Sequence, residues 1–160
     1  MEEYKYCPIC GNILKVGIFN GKERKYCPYC AFINYKNPLP SVGAIAVKED
    51  KVLLIKRGVE PGKGIWAPPS GFVELGETPE KAVLRELKEE TGMSGEVERL
   101  LGVYRESAKI YGDILVIMYL VELNGGTPIA GDDAQDVKFF DITKLPDLRF
   151  NSFKSAIEEI

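Results

Sequence analysis

The chain has 160 residues, 45% of them hydrophobic and 28% charged, a composition that suits one globular domain with a small appendage. Its formal net charge of -3 is unevenly divided: residues 1–37 hold six Lys/Arg against three Asp/Glu, and the remainder fifteen against twenty-one. The larger part therefore repels polyanions unless a cation intervenes. Histidine is absent, which excludes a His general base, a Ser-His or Cys-His nucleophile pair and every imidazole metal ligand. No run of about 18 apolar residues occurs, and the start Met1-Glu2-Glu3-Tyr4 is acidic where a secretion signal is basic and then apolar. The expectation is a cytoplasmic protein without a membrane partner.

Four cysteines come first, as Cys7-Pro8-Ile9-Cys10 and Cys27-Pro28-Tyr29-Cys30 with sixteen residues between the pairs. Two CxxC pairs at that separation have the spacing of a four-cysteine zinc ribbon. Two disulfides fit a reducing compartment poorly, and thioredoxin-type redox sites do not come in doubled pairs. Gly11 permits the tight turn after the first pair, whereas Ala31 stands at the equivalent place after the second. With cysteine at all four positions the coordination is closed, so Zn²⁺ is expected to be structural, folding a segment too small to build its own core. Lys22, Arg24 and Lys25 are read as a solvated hairpin tip rather than a nucleic-acid contact, since no aromatic interleaving is evident.

Two prolines in Asn37-Pro38-Leu39-Pro40 disfavour regular structure, and the boundary between a ribbon (1–37) and a main domain (38–160) is placed there. Val42 to Val47 and Val52 to Ile55 are β-rich runs joined by Lys48-Glu49-Asp50-Lys51, which reads as a hairpin. The surest helix runs from Pro79 to Thr91, with Thr78 as N-cap, Pro79 and Glu80 in the first turn and Gly92 as its stop. Strands are expected over Glu96–Tyr104, Ile114–Leu123 and Val137–Phe140, with Asn124-Gly125-Gly126-Thr127 turning between the last two. A second helix is expected from about Ser152 to the C-terminus. Helices and strands that do not strictly alternate indicate an α+β fold, a mixed α/β/α sandwich.

On a period of 3.6 residues Glu86, Glu89 and Glu90 share one face of the helix. Like charges at these spacings repel by about 0.2–0.5 kcal/mol per pair. Arg85, four residues before Glu89, offsets part of this, while Val83 and Leu87 form the inward stripe and leave the carboxylates beside the core. A hard divalent cation, Mg²⁺ above all, turns such a cluster into a site that also attracts phosphates. Three glutamates alone fit a solvated acidic face at least as well.

The wider pattern decides between these readings. Gly71, Glu77, Arg85, Glu86, Leu87, Glu89, Glu90, Gly92 and Met93 match G-x5-E-x7-R-E-U-x-E-E-x-G-U, with U aliphatic, at all nine specified positions. The region from about 42 to 148, which includes Leu53 to Arg57 and Gly64-Ile65-Trp66 ahead of that motif, resembles the Nudix hydrolase family. Pro69-Ser70-Gly71 departs from the glycine pair many members have before the box.

The resemblance implies the Nudix sandwich fold and hydrolysis of nucleoside diphosphates linked to another moiety, with Mg²⁺ or Mn²⁺. It further implies that Glu86, Glu89 and Glu90 are metal ligands, joined by the Ser70 carbonyl. Glu77 reaches the site directly or through water, and Arg85 orients the glutamates. The base differs among members and often comes from a downstream loop, where Asp132, Asp133 and Asp136 stand here. Arg57 is a candidate phosphate contact. Trp66, the only tryptophan, is a candidate for stacking on a nucleobase and equally for the core.

A ribbon directly before such a domain resembles NADH pyrophosphatases and smaller enzymes associated with ADP-ribose or FAD. Tyr104-Arg105-Glu106-Ser107-Ala108-Lys109 replaces the Ser-Gln-Pro-Trp-Pro-Phe-Pro run of the NADH group, so ADP-ribose or FAD, releasing AMP, leads. NADH and dinucleoside polyphosphates are alternatives, the latter group having a tyrosine near Tyr111. An RNA 5′-end hydrolase is disfavoured by the acidic main domain, and a non-catalytic ADP-ribose sensor by the intact box. Many ADP-ribose-cleaving members are homodimers, which leaves a homodimer open for this chain.

Overall fold

The computed structural model describes residues 4–131 and 133–160. They fall into two compact units that divide between Pro38 and Leu39. In the first unit, β1 (Lys15–Phe19) and β2 (Lys22–Tyr26) make an antiparallel hairpin. Its tip is Asn20-Gly21, so Lys22, Arg24 and Lys25 lie along β2 and not at the tip as expected. Arg24 stacks over the Tyr35 ring at 4.6 Å. Each cysteine pair sits in a tight loop closed by backbone bonds, Cys7 N–H to Asn12 O and Cys27 N–H to Phe32 O, both 2.7 Å. Gly11 takes φ 73° as its position demands, and Ala31 takes φ 59° despite its Cβ. Among the described residues, Cys7, Cys27 and Leu14 form the buried core of this unit, with Phe32 packed on it.

The second unit is built on a mixed seven-stranded sheet: β3 (Leu39–Lys48), β4 (Lys51–Arg57), β5 (Trp66–Ala67), β6 (Ser70–Phe72), β7 (Met93–Ala108), β8 (Gly112–Gly126) and β9 (Ala134–Asp141). Two helices, α1 (Pro79–Thr91) and α2 (Asn151–Ile157), complete it. β3 lies parallel to β8 along its whole length. Its other edge pairs with β4 only over Ala46–Lys48, and over Ser41–Gly43 it pairs with β6 instead. β4 thus diverges from β3, β5 and β6 fill the gap between them, and β9 pairs with the far edge of β4. That divergence sets Ser70 and Gly71 beneath α1.

Strand alternation sends successive side chains to opposite faces. Val42, Ala44 and Ala46 of β3, with Tyr119, Val121 and Leu123 of β8, pack on Ala82, Val83 and Leu87 of α1. Ile45, Val116, Met118 and Leu120 face the other way and pack on Phe153 and Ala156 of α2. The result is the expected α/β/α sandwich. α1 spans the residues its caps predict: Thr78 Oγ1 accepts from Lys81 N–H at 3.4 Å, and Gly92 closes the helix in the left-handed conformation with its N–H on Lys88 O. Elsewhere the elements differ from expectation. β7 and β8 are longer, β8 continuing through Asn124–Gly126 where a turn was expected, and α2 stops at Ile157 short of the terminus. No helix among the described residues is long and apolar enough to cross a membrane.

Leu87 is fully buried at the centre of the α1 contact. Leu87→Ala should lower unfolding free energy by about 3 kcal/mol, the transfer loss plus a residual cavity, read from the urea midpoint at unchanged slope.

Candidate active site

Arg85, at the middle of α1, organises the acidic face of the helix. Its Nε donates to Glu77 Oε1 at 2.9 Å and its Nη2 to Glu77 Oε2 at 3.0 Å, a bidentate fork that planar guanidinium geometry favours. Nη1 donates to Glu86 Oε1 at 2.7 Å and to Glu89 Oε2 at 3.0 Å, and Nη2 also reaches the Phe72 carbonyl at 3.0 Å. One side chain thereby ties the loop before the helix, strand β6 and two helical carboxylates together.

Glu90 is oriented separately. It is 5% exposed, and its Oε2 accepts from the Ser70 backbone N–H at 2.9 Å. Burial pushes its carboxyl up to about 8, reinforced by Glu86 and opposed by the Ser70 amide and Arg57. Burial also raises Glu86, against the pull of Arg85. Glu77 goes the other way, held below its ordinary value by the Arg85 hydrogen bonds.

Gly71 shows why the middle of β6 carries no side chain. A Cβ on it would stand 2.1 Å from the Glu86 carboxyl. The Gly71 carbonyl is fixed by the Ser41 hydroxyl at 2.8 Å. The carboxylates open into a cavity of about 600 Å³, within the size range of small-molecule sites, lined by Arg57, Ser70, Arg85, Glu86, Glu89, Glu90 and Asp133 among others.

The structure therefore gathers Glu86, Glu89, Glu90, Arg85, Ser70 and Arg57 around one cavity, with Glu77 held against them through Arg85. Trp66 does not line it. Its ring packs edge-on against Phe140 at 4.9 Å and joins the core on the α2 side. Asp133 lines the cavity, whereas Asp136 pairs with Lys138 at 2.8 Å; Asp132 falls outside the described residues. Beyond Tyr111, sequence reasoning missed Glu106, Ser152 and the rings of Phe72, Phe150 and Phe153 that also line the cavity, since no spacing rule links positions so far apart in the chain.

The other cluster is the cysteine set. Sγ to Sγ distances are 3.5 Å for Cys7 and Cys30, 3.4 Å for Cys10 and Cys27, and 3.5 Å for Cys10 and Cys30. All four thiols are free and lie within 4.8 Å of one another, burial alternating along the set. Among the described residues this is the one group of three or more Cys, Asp or Glu with ligand atoms that close. The box glutamates are held wider apart, because the Arg85 guanidinium bonds Glu86 and Glu89 while Glu90 turns to Ser70.

A mixed sheet split around the short strand β6, with an Arg-braced glutamate helix lying over Gly71, is an architecture suited to phosphate chemistry. The model of the NUDIX domain matches residues 37–158, and the chain belongs to this family of hydrolases. An ADP-ribose pyrophosphatase of Methanocaldococcus jannaschii is 46% identical over 121 residues, 75% of this chain and 72% of that protein. The NAD-capped RNA hydrolase NudC of Vibrio atlanticus is 28% identical over 92% of this chain, which spans 53% of that longer protein. Among solved structures, a NUDIX hydrolase from Nitrosomonas europaea superposes with a TM-score of 0.83 at 31% identity, covering 98% of this chain and 92% of that one.

The buried Glu90 carboxyl makes the cation-free protein sensitive to pH. Because its folded value of about 8 lies above the ordinary 4.5, folding favours the protonated form. The resulting penalty is absent below about pH 4.5 and grows as pH rises toward about 8. In magnesium-free buffer Glu90→Gln should be more stable than the parent at pH 8 by on the order of 2 kcal/mol, with the difference vanishing near pH 4.5. Thermal melts across that range check it.

Proposed function

We propose that the chain hydrolyses ADP-ribose at its diphosphate, releasing AMP and ribose 5-phosphate. The observation that carries this reading is the braced set of Glu77, Arg85, Glu86, Glu89 and Glu90 facing an open cavity that Arg57 also lines. The 46% identity to an ADP-ribose pyrophosphatase supports the substrate.

The cavity fits a hard divalent cation, Mg²⁺ or Mn²⁺. Its donors are oxygens, and the absence of a Cβ at Gly71 leaves room for the Glu86 carboxylate that a larger residue would displace. Glu86, Glu89, Glu90 and the Ser70 carbonyl would hold the metal. When bound, it lowers the pKa of water and spreads the charge that builds on phosphoryl oxygens. The chain's own residues do the rest. Arg85 keeps Glu77, Glu86 and Glu89 in place, and Arg57 contacts a phosphate. A carboxylate of the box takes the proton of the attacking water, which adds to one phosphorus in line with the departing phosphate oxygen.

The cysteine unit fits Zn²⁺ by the same kind of test. Sγ separations near 3.5 Å sit close to the roughly 3.8 Å edge of a tetrahedron with Zn–S bonds of about 2.3 Å. We assign residues 1–37 as a zinc ribbon in which Cys7, Cys10, Cys27 and Cys30 are the ligands, followed by the hydrolase domain. Native mass spectrometry should find one zinc per chain, lost in Cys27→Ser.

NAD-capped RNA is the second reading, favoured by the NudC relative that aligns over 92% of this chain. Chromatography of products from ADP-ribose, FAD, NADH and NAD-capped RNA with Mg²⁺ separates the two. The expected result is AMP from ADP-ribose, at a rate reduced about a hundredfold or more in Glu89→Gln/Glu90→Gln. Turnover of capped RNA alone would replace the first reading with the second, and turnover of none of the four would remove both.

A further inference from the structure

The cavity does not end at the glutamates. Its lining also includes Phe72, Glu106, Tyr111, Phe150, Ser152 and Phe153, residues from β6, from the β7–β8 hairpin and its tip, and from the start of α2. Phe72 meets Tyr111 edge-on at 5.2 Å, and Phe150 meets Phe153 in the same way at 5.3 Å. Such ring pairs present flat apolar walls suited to a planar aromatic ligand.

Two polar groups interrupt these walls. Glu106 accepts the Ser152 backbone N–H on Oε1 at 2.8 Å, which leaves Oε2 without a partner among the described residues. The Ser152 residue is 2% exposed, and its hydroxyl is the one buried side-chain polar atom among the described residues that has no hydrogen bond. Leaving a buried hydroxyl unsatisfied costs about 1–3 kcal/mol, and native proteins leave few such atoms. The Glu106 carboxylate and the orphaned Ser152 hydroxyl share the cavity lining with the aromatic rings, and neither takes part in the Arg85 bracing.

We propose that this aromatic part of the cavity lining is a nucleobase subsite that selects adenine, with Glu106 accepting from the exocyclic amino group and Ser152 donating to the adjacent ring nitrogen. The inference rests on the proposed hydrolysis of an adenosine diphosphate derivative and adds which residues choose the base. Adenine offers a donor beside an acceptor. That pattern complements an ionised carboxylate beside a hydroxyl. Hypoxanthine reverses it, setting a carbonyl oxygen against the carboxylate. The ring of either base fits the aromatic walls, so the polar pair carries the discrimination.

The test compares AMP with IMP, which differ at this edge. Equilibrium binding by calorimetry in Mg²⁺ reads the subsite without turnover, and hydrolysis of ADP-ribose is followed separately. The parent should bind AMP about tenfold more tightly than IMP. Glu106→Gln keeps an oxygen for the Ser152 amide but turns a donor toward the base, so the preference should disappear or reverse. Ser152→Ala should weaken AMP severalfold while leaving the melting temperature unchanged or higher, because the hydroxyl it removes bonds nothing in the free protein; a purely structural serine would lower it. Equal affinity for AMP and IMP, no affinity for either, or a preference untouched in Glu106→Gln overturns the subsite even if ADP-ribose is hydrolysed. An AMP preference abolished by Glu106→Gln in a protein that cleaves no diphosphate keeps the subsite and overturns the hydrolase reading.

Discussion

The Arg85 guanidinium is the point on which the hydrolytic end of this protein depends. Three carboxylates and a strand carbonyl converge on it, and without a positive charge at their centre they would repel one another. Its five donors in a rigid plane are what allow one residue to serve four acceptors, so lysine with the same charge could not replace it. The acidic clustering that makes α1 unfavourable as an isolated helix becomes an asset once this hub is in place. What remains of the cost is concentrated at Glu90, the most buried of the set.

The sheet explains why the hub sits where it does. β3 is shared by two partners on one edge, β4 near its end and β6 near its start. The split between them brings Gly71 close under Glu86, at a separation only a residue without Cβ can occupy. Packing of α1 on Val42, Ala44, Tyr119 and Val121 then fixes the helix rotation that turns its glutamates toward the opening.

How much of this was legible in the sequence depended on whether the signal was local. α1 was read to the residue, because Thr78, Pro79 and Gly92 are caps whose chemistry lies within the helix itself. The cysteine cluster was legible for the same reason. β5 and β6, of two and three residues, carry too few positions for any alternation and exist because β3 and β4 separate around them. Asn124 to Gly126 has turn composition, yet pairing with Met93 and Ser94 holds its end in the ladder. Arg57 is a candidate phosphate contact by type and Trp66 fits base stacking and core equally, and only the tertiary packing sends one to the cavity and the other against Phe140. Glu106 and Ser152 meet across 46 positions, a juxtaposition no periodicity encodes.

The lining of the cavity comes from different parts of the chain. Residues 70–90 supply the braced carboxylates and Phe72, whereas the β7–β8 hairpin and α2 supply Glu106, Tyr111, Ser152 and Phe153, none of which bonds Arg85. Mutations at the hairpin tip or the start of α2 can therefore reshape recognition without disturbing the machinery that breaks the bond. A scaffold so divided is evolvable: one lineage can pass from substrate to substrate by drift in a few distal positions, while the acidic helix stays constrained by its own internal electrostatics.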